Sequence, residues 1–115
     1  MSQKIPDLDW CRINHWMRAN LVGFDQTPGL LRFINQGLIV YIASETRSLA
    51  NFRRFTTSGG SWKSHWGGRK VHEHRDNLEL EYAILIASPP EIERVRDALI
   101  GKHQPDFNYR DGQLN

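Results

Sequence analysis

The chain reads as an α+β domain, a small three-stranded sheet flanked by helices with an extra helix at its N-terminus. Three observations carry this reading. Two short apolar runs, Leu30-Leu31-Arg32-Phe33-Ile34 and Leu38-Ile39-Val40-Tyr41-Ile42, flank Asn35-Gln36-Gly37 and spell a hairpin, because glycine supplies the positive φ of a tight turn. In the next run, Leu78, Leu80, Tyr82, Ile84 and Ile86 alternate, and Ala83, Leu85 and Ala87 then fill the gaps. That pattern belongs to a strand buried on both faces toward its end, and so to a central one. Last, Pro89-Pro90 opens a stretch with Ile92, Val95, Ala98 and Leu99 at helical spacing and Glu91 and Glu93 in its first turn. Strands and helices in this mixed order make an α+β layer structure.

The remaining elements follow in order. Trp10, Ile13, Trp16, Met17 and Leu21 recur at steps of three and four, so the first twenty residues predict a helix capped by Asp7 or Asp9 and ended by Gly23. Such a helix packs on the sheet or forms a dimer contact. Thr46 or Ser48 caps a second helix through Leu49, Phe52 and Phe55. Residues 56–77 read as a long irregular loop, from the turn-rich Thr56-Thr57-Ser58-Gly59-Gly60-Ser61 to Arg75. Loops of this length are functional or disordered, and Trp62 and Trp66 argue against disorder throughout. After Gly101 the chain leaves the last helix, and Pro105 fixes an extended turn before Phe107-Asn108. The expected division is one domain: a helical extension over 1–27, a core over 28–108 and a tail over 109–115.

Bulk properties exclude little. With 115 residues, 39% of them hydrophobic and 24% charged, the chain suits one globular core. No apolar run approaches the ~20 residues of a membrane span, and the first residues lack the apolar stretch of a signal peptide. The one cysteine, Cys11, forms no internal disulfide, which fits a reducing cytoplasm. A formal charge of +2 neither announces nor forbids a nucleic-acid partner, since a local patch matters more than the total.

Four segments in order, Pro28-Gly29-Leu30-Leu31, Tyr41-Ile42-Ala43, Leu99-Ile100 and Pro105-Asp106-Phe107-Asn108, resemble the motifs of the GIY-YIG endonuclease domain. That family is a small module that cuts DNA with one metal ion, and the resemblance runs from residue 28 to 108. It implies a tyrosine on the first strand, where Leu31 stands, and a second tyrosine, which Tyr41 supplies. The glycine after it has become Ala43. The family's arginine, three residues after a leucine, falls on Phe52 when anchored at Leu49, and Arg53 and Arg54 follow directly. The metal-binding glutamate, three residues before the leucine of the Leu-Ile pair, has become Arg96, with Glu93 and Asp97 the nearest acids. The closing Pro-x-x-Asn is intact as Pro105 and Asn108.

These replacements bear on the chemistry. A one-metal phosphodiesterase needs a carboxylate to hold a hard cation such as Mg²⁺ or Mn²⁺. Arg96 repels that cation and is suited to bind phosphate instead. Leu31 cannot be a general base, and Tyr41 can act only if its phenol is activated. The resemblance therefore implies a nucleic-acid-binding domain, with DNA as partner and a lost or remodelled nuclease centre, of a size that suits a phage or mobile-element accessory protein. Its contact residues are Tyr41, Arg53, Arg54, Arg69, Lys70, Arg75, Arg96 and Asn108.

Two other readings stay open. An active, diverged endonuclease would use Tyr41, Arg53 and a loop histidine, His72 or His74, with Glu93 holding Mg²⁺ or Mn²⁺. A protein–protein adaptor or inhibitor would use the aromatic N-terminal helix. His65, His72 and His74 are either exposed loop histidines or, with Glu73 or Asp76, a metal set in which His72 and His74 share one side of a strand. Trp62 and Trp66 either pack or stack on bases among the basic residues. Glu79 and Glu81 are a carboxylate pair or simply the outer face of a strand.

Overall fold

The computed structural model describes residues 4–19, 22–56 and 65–114. The Thr57 to Ser61 turn, Trp62 and Leu21 lie outside the described residues. Four strands, β1 (Cys11–Ile13), β2 (Gly29–Asn35), β3 (Leu38–Glu45) and β4 (Glu79–Ile84), form one antiparallel sheet in the spatial order β1-β4-β2-β3. The sheet thus has four strands where the sequence led us to expect three. The β2–β3 hairpin turns through Gln36 and Gly37, with φ of 51° and 84°. Both residues are in the left-handed region that a tight two-residue loop demands. At the other end of β2, Gly29 lies so near β4 that a side chain there would overlap the carbonyl of Ala83.

The fourth strand comes from the segment expected to be a helix. Cys11, Arg12 and Ile13 pair with Tyr82, Glu81 and Leu80 of β4. Ile13 turns inward, and Arg12 reaches outward to Glu79 and to Glu81 at 3.0 Å. The physical reason is the edge of β4: without β1 its backbone N–H and C=O groups would lack partners, and satisfying them outweighs weak helix propensity. His15, at φ 52°, breaks any continuing helix, and Trp16 then buries itself with its indole N–H donating to the carbonyl of Leu78 at 2.9 Å. The aromatic contact helix expected for a protein partner is therefore not formed.

The core lies on both faces of the sheet. Helix α2 (Pro89–His103) lays Ile92, Val95, Leu99 and Ile100 against Leu30 and Ile42. Ser88 caps it by accepting from the Glu91 N–H, and it runs two residues past Gly101 to end at a left-handed Gln104. The opposite face presents Leu31, Phe33, Tyr41 and Ala43 to a 3-10 helix over Leu49–Thr56 and to α1 (Trp66–Glu73). Leu49, Phe52 and Phe55 recur every third residue, which is the 3-10 repeat, and all three are fully buried.

Three further expectations are corrected. Much of the presumed loop is α1, so His72 lies on a helix and His74 is the residue that ends it. Two residues apart on a helix is about 200° of rotation, so they do not share a side. The presumed tail is a second hairpin, β5 (Tyr109–Arg110) and β6 (Gln113–Leu114), turning at Asp111 and Gly112 with φ of 53° and 82°. Finally, β4 lies inside the sheet as expected, but Ile84 and Ile86 are 48% and 74% exposed. Pairing with β1 stops at Tyr82, so among the described residues no strand flanks that end of β4 on the β1 side.

Candidate functional site

At the free edge of the sheet, β3 forms the floor of a pocket of about 650 Å³. Strand alternation sends Tyr41 toward the 3-10 helix and α1, and Ile42 toward α2. The edge would leave the outward N–H and C=O of Ile42 without partners. Asn108 satisfies both: the Ile42 N–H donates to Oδ1 at 2.9 Å, and Nδ2 donates to the Ile42 carbonyl at 3.0 Å. The surrounding walls are Arg54 and Phe55 of the 3-10 helix, His65 and Gly68 at the start of α1, Arg96 of α2, and Leu114 of β6.

Each charged group in the pocket is held by a partner. Arg54 forms an ion pair with the buried carboxylate of Glu45, donates to the Asn51 carbonyl at 2.9 Å, and lies over the Phe55 ring at 4.5 Å. Arg96 donates to Ser44 Oγ at 3.0 Å and to Asp97 Oδ1 at 3.0 Å, with Glu93 4.0 Å away. His65 caps α1: the Gly68 N–H donates to its Nδ1 at 3.1 Å, which leaves the ring proton on Nε2. Its ring meets Tyr41 edge-on, with centroids 6.3 Å apart. Gly67 lets α1 approach Tyr41 at all, since a Cβ there would press into the tyrosine ring and stand 2.8 Å from the Phe107 carbonyl oxygen. The Tyr41 hydroxyl has no hydrogen-bond partner among the described residues, although the residue is only 5% exposed.

Burial and the two arginines set the protonation states. Burial pushes the Tyr41 phenol up to about 12, against the opposing pull of Arg54 and Arg96. The side chain is therefore a neutral donor near neutral pH and not an activated base. Burial, then repulsion from Arg54 and Arg96, holds His65 below the usual imidazole range, so it too is neutral there. Burial raises the carboxyl of Glu45 despite its bond to Arg54. The site thus combines two guanidinium charges, each balanced by a carboxylate, with two neutral N–H or O–H donors.

The other sequence-derived residues fall elsewhere. The arginine that reaches the pocket is Arg54, two positions beyond Phe52, whereas Arg53 is exposed and does not line it. Asn108 turns both ends of its amide to the backbone of Ile42. Glu93 is exposed and faces Arg96. His72 bonds to the Phe55 carbonyl at 2.9 Å and to Arg75 at 3.3 Å, and His74 stacks on Phe107. Neither histidine lines the pocket, and Arg75 is turned back onto the His72 carbonyl at 2.7 Å. Arg69 and Lys70 follow Gly68 along α1, both 3.6 Å from Glu73, and Lys70 and Arg110 each stand over the Trp66 ring. Glu79 and Glu81 are tied up by Arg12 and Arg32 on the outside of the sheet. Among the described residues, no group of three His, Cys, Asp or Glu side chains could hold a metal ion, and no helix is long and apolar enough to cross a membrane.

Sequence reasoning missed Ser44 and Glu45. For Glu45 a signal existed: counting by twos from Tyr41 puts a carboxylate on the buried face of β3, where it requires a cationic partner. Arg54 is that partner.

No family model matches the chain, and no curated protein matches it. Among solved structures it is similar to the GIY-YIG N-terminal endonuclease domain of UvrC from Thermotoga maritima bound to its catalytic divalent cation, magnesium. Identity is 23% and the TM-score 0.62, over 84% of this chain and 100% of that one. The same Thermotoga maritima domain with one tyrosine replaced by phenylalanine, bound to its catalytic divalent cation, matches at 25% identity and TM-score 0.58, over 85% and 100%. A further variant of it, with an asparagine replaced by alanine and also bound to its cation, matches at 23% and 0.58, over 85% and 100%. The chain therefore has the GIY-YIG fold.

Proposed function

We propose that this domain binds nucleic acid, DNA foremost, through the pocket at the β3 edge, and that it does so without metal-dependent hydrolysis. The observation that carries the reading is Arg96. Its guanidinium lines the pocket together with Arg54, above a phenol that stays protonated. Guanidinium groups recognise phosphate oxygens through paired, charge-assisted hydrogen bonds. Arg69 and Lys70, the next two residues after Gly68 on α1, extend the positive surface along which a phosphate backbone can lie.

The UvrC domains hold a catalytic divalent cation. The residues of this pocket do not fit one. Asp97, the carboxylate that lines it, and Glu45 beside it are each bonded to an arginine, and the Arg96 charge repels a dication.

The test is one incubation series with plasmid, linear duplex and branched DNA, each with Mg²⁺, with Mn²⁺ and with chelator. Retarded but intact linear and branched DNA, with either metal or with chelator, is the expected result. Metal-dependent nicking that disappears in Tyr41→Phe would make the protein an enzyme and overturn the reading. Arg96→Glu is expected to weaken binding and flatten its salt dependence by about one unit of log–log slope.

A further inference from the structure

We propose that the pocket is a terminus site: it receives a phosphomonoester at the end of a nucleic-acid strand, not an internal phosphodiester. The inference rests on the nucleic-acid reading above and specifies its ligand. Its first support is size and lining. Side chains from the 3-10 helix, α1, β3, α2 and β6 converge on the pocket. At about 650 Å³, the volume sits within the roughly 300–1,000 Å³ typical of small-ligand sites, enough for a phosphate and its terminal nucleotide.

Its second support is the donor set. Tyr41 is 5% exposed and lines the pocket, and its hydroxyl lacks a partner among the described residues. A buried donor in that state is costly unless something fills it. His65, Ser44 and Arg96 also line the pocket, with Arg96 donating to the Ser44 hydroxyl. A phosphomonoester has three non-bridging oxygens and a charge near −1.5 to −2 at pH 7, against two oxygens and −1 for a diester, so it engages more of these donors at once.

The third is Asp97. Its carboxylate oxygen sits on Arg96 Nε at 3.0 Å, where an anionic phosphate oxygen would go, and the side chain is half exposed and free to swing away. Exchanging one carboxylate charge for a dianion gives a monoester a net electrostatic gain that a diester lacks.

The experiment uses short single-stranded oligonucleotides of one sequence with a 5′-phosphate, a 3′-phosphate or hydroxyls at both ends. Binding is followed by fluorescence anisotropy in chelator, with inorganic phosphate as competitor. One phosphorylated form should bind about tenfold tighter or more, the size of a single charge-assisted hydrogen bond, and the two phosphorylated arms identify which end is read. Tyr41→Phe and Arg96→Gln, checked for folding by circular dichroism, should each erase that preference while leaving residual binding to all three oligonucleotides. Equal affinity for the three oligonucleotides overturns this inference and leaves the nucleic-acid reading standing. Binding to none of them overturns both. A preference that survives both substitutions places the phosphate outside this pocket and overturns the assignment.

Discussion

Asn108→Ala is expected to destabilise the domain by about 2–4 kcal/mol in the absence of any ligand. The side chain is 4% exposed, and its two hydrogen bonds to Ile42, at 2.9 and 3.0 Å, hold the C-terminal turn against the edge of β3. Each bond contributes roughly 1 kcal/mol net, and truncation also strands a buried N–H and C=O that cost about 1–3 kcal/mol. For a domain of this size the loss corresponds to a fall in Tm of about 10 °C or more. Urea unfolding followed by tryptophan fluorescence measures it directly, because Trp16 sits in the core beside Phe33 and Phe52. Asn108→Asp sharpens the test. The introduced carboxylate still accepts from the Ile42 N–H but faces its carbonyl, so the variant should be weakest at neutral pH. Burial beside that carbonyl raises the pKa of the folded carboxyl, so stability should return as pH falls from neutral into the acid range and be complete by about pH 4, the ordinary carboxylate value. A change within about 0.5 kcal/mol of the parent for Asn108→Ala, the scale of ordinary surface substitutions, would refute the structural role and return Asn108 to the ligand contacts.

Three shorter predictions bear on the pocket. Gly67→Ala forces α1 off the Tyr41 ring and the Phe107 carbonyl, so unfolding should show a loss of about 1–3 kcal/mol, accompanied by weaker oligonucleotide binding. A variant as stable as the parent would mean that the α1 contact is slack. Asp97→Asn removes the carboxylate that Arg96 grips, and binding titrations should show tighter nucleic-acid affinity, mainly at low salt; unchanged affinity would remove Asp97 from the pocket chemistry. Tyr41 should stay a phenol through pH 10 in an ultraviolet titration. Because its folded value, about 12, lies above the ordinary 10, the stability it contributes is complete below pH 10 and lost between pH 10 and 12. A tyrosine band that appears below pH 9 and vanishes in Tyr41→Phe would contradict the burial-driven shift.

How much of this was readable in advance depends on whether a feature is local. The β2–β3 hairpin, the start of α2 and the position of Tyr41 follow from short-range chemistry: a glycine turn, two prolines followed by glutamates, and a short apolar strand run. The ordered motifs from Pro28 to Asn108 carried the fold as well, and they fit a structure similar to solved GIY-YIG domains. The N-terminal segment was misread for a reason outside itself. Its apolar spacing suits a helix, but the open edge of β4 claims Cys11–Ile13 as a strand. Leu49, Phe52 and Phe55 fit an α-helix loosely and a 3-10 helix well, and only packing beneath them chose between the two.

By itself, the sequence determined which residue types stand at the site: a tyrosine at 41, arginines at 53, 54 and 96, and no acid at position 96. Those are covalent facts, and they already weigh against a bound cation. Tertiary structure decided which of them meet. It brought Arg54, and not Arg53, into the pocket by pairing it with Glu45, gave Asn108 to the backbone of Ile42, and turned His65 toward Tyr41 while His72 and His74 faced elsewhere. The first two of these choices satisfy buried polar groups, the Glu45 carboxylate and the edge of Ile42, from another element, a constraint that exists only once the sheet has an edge and the helices have faces.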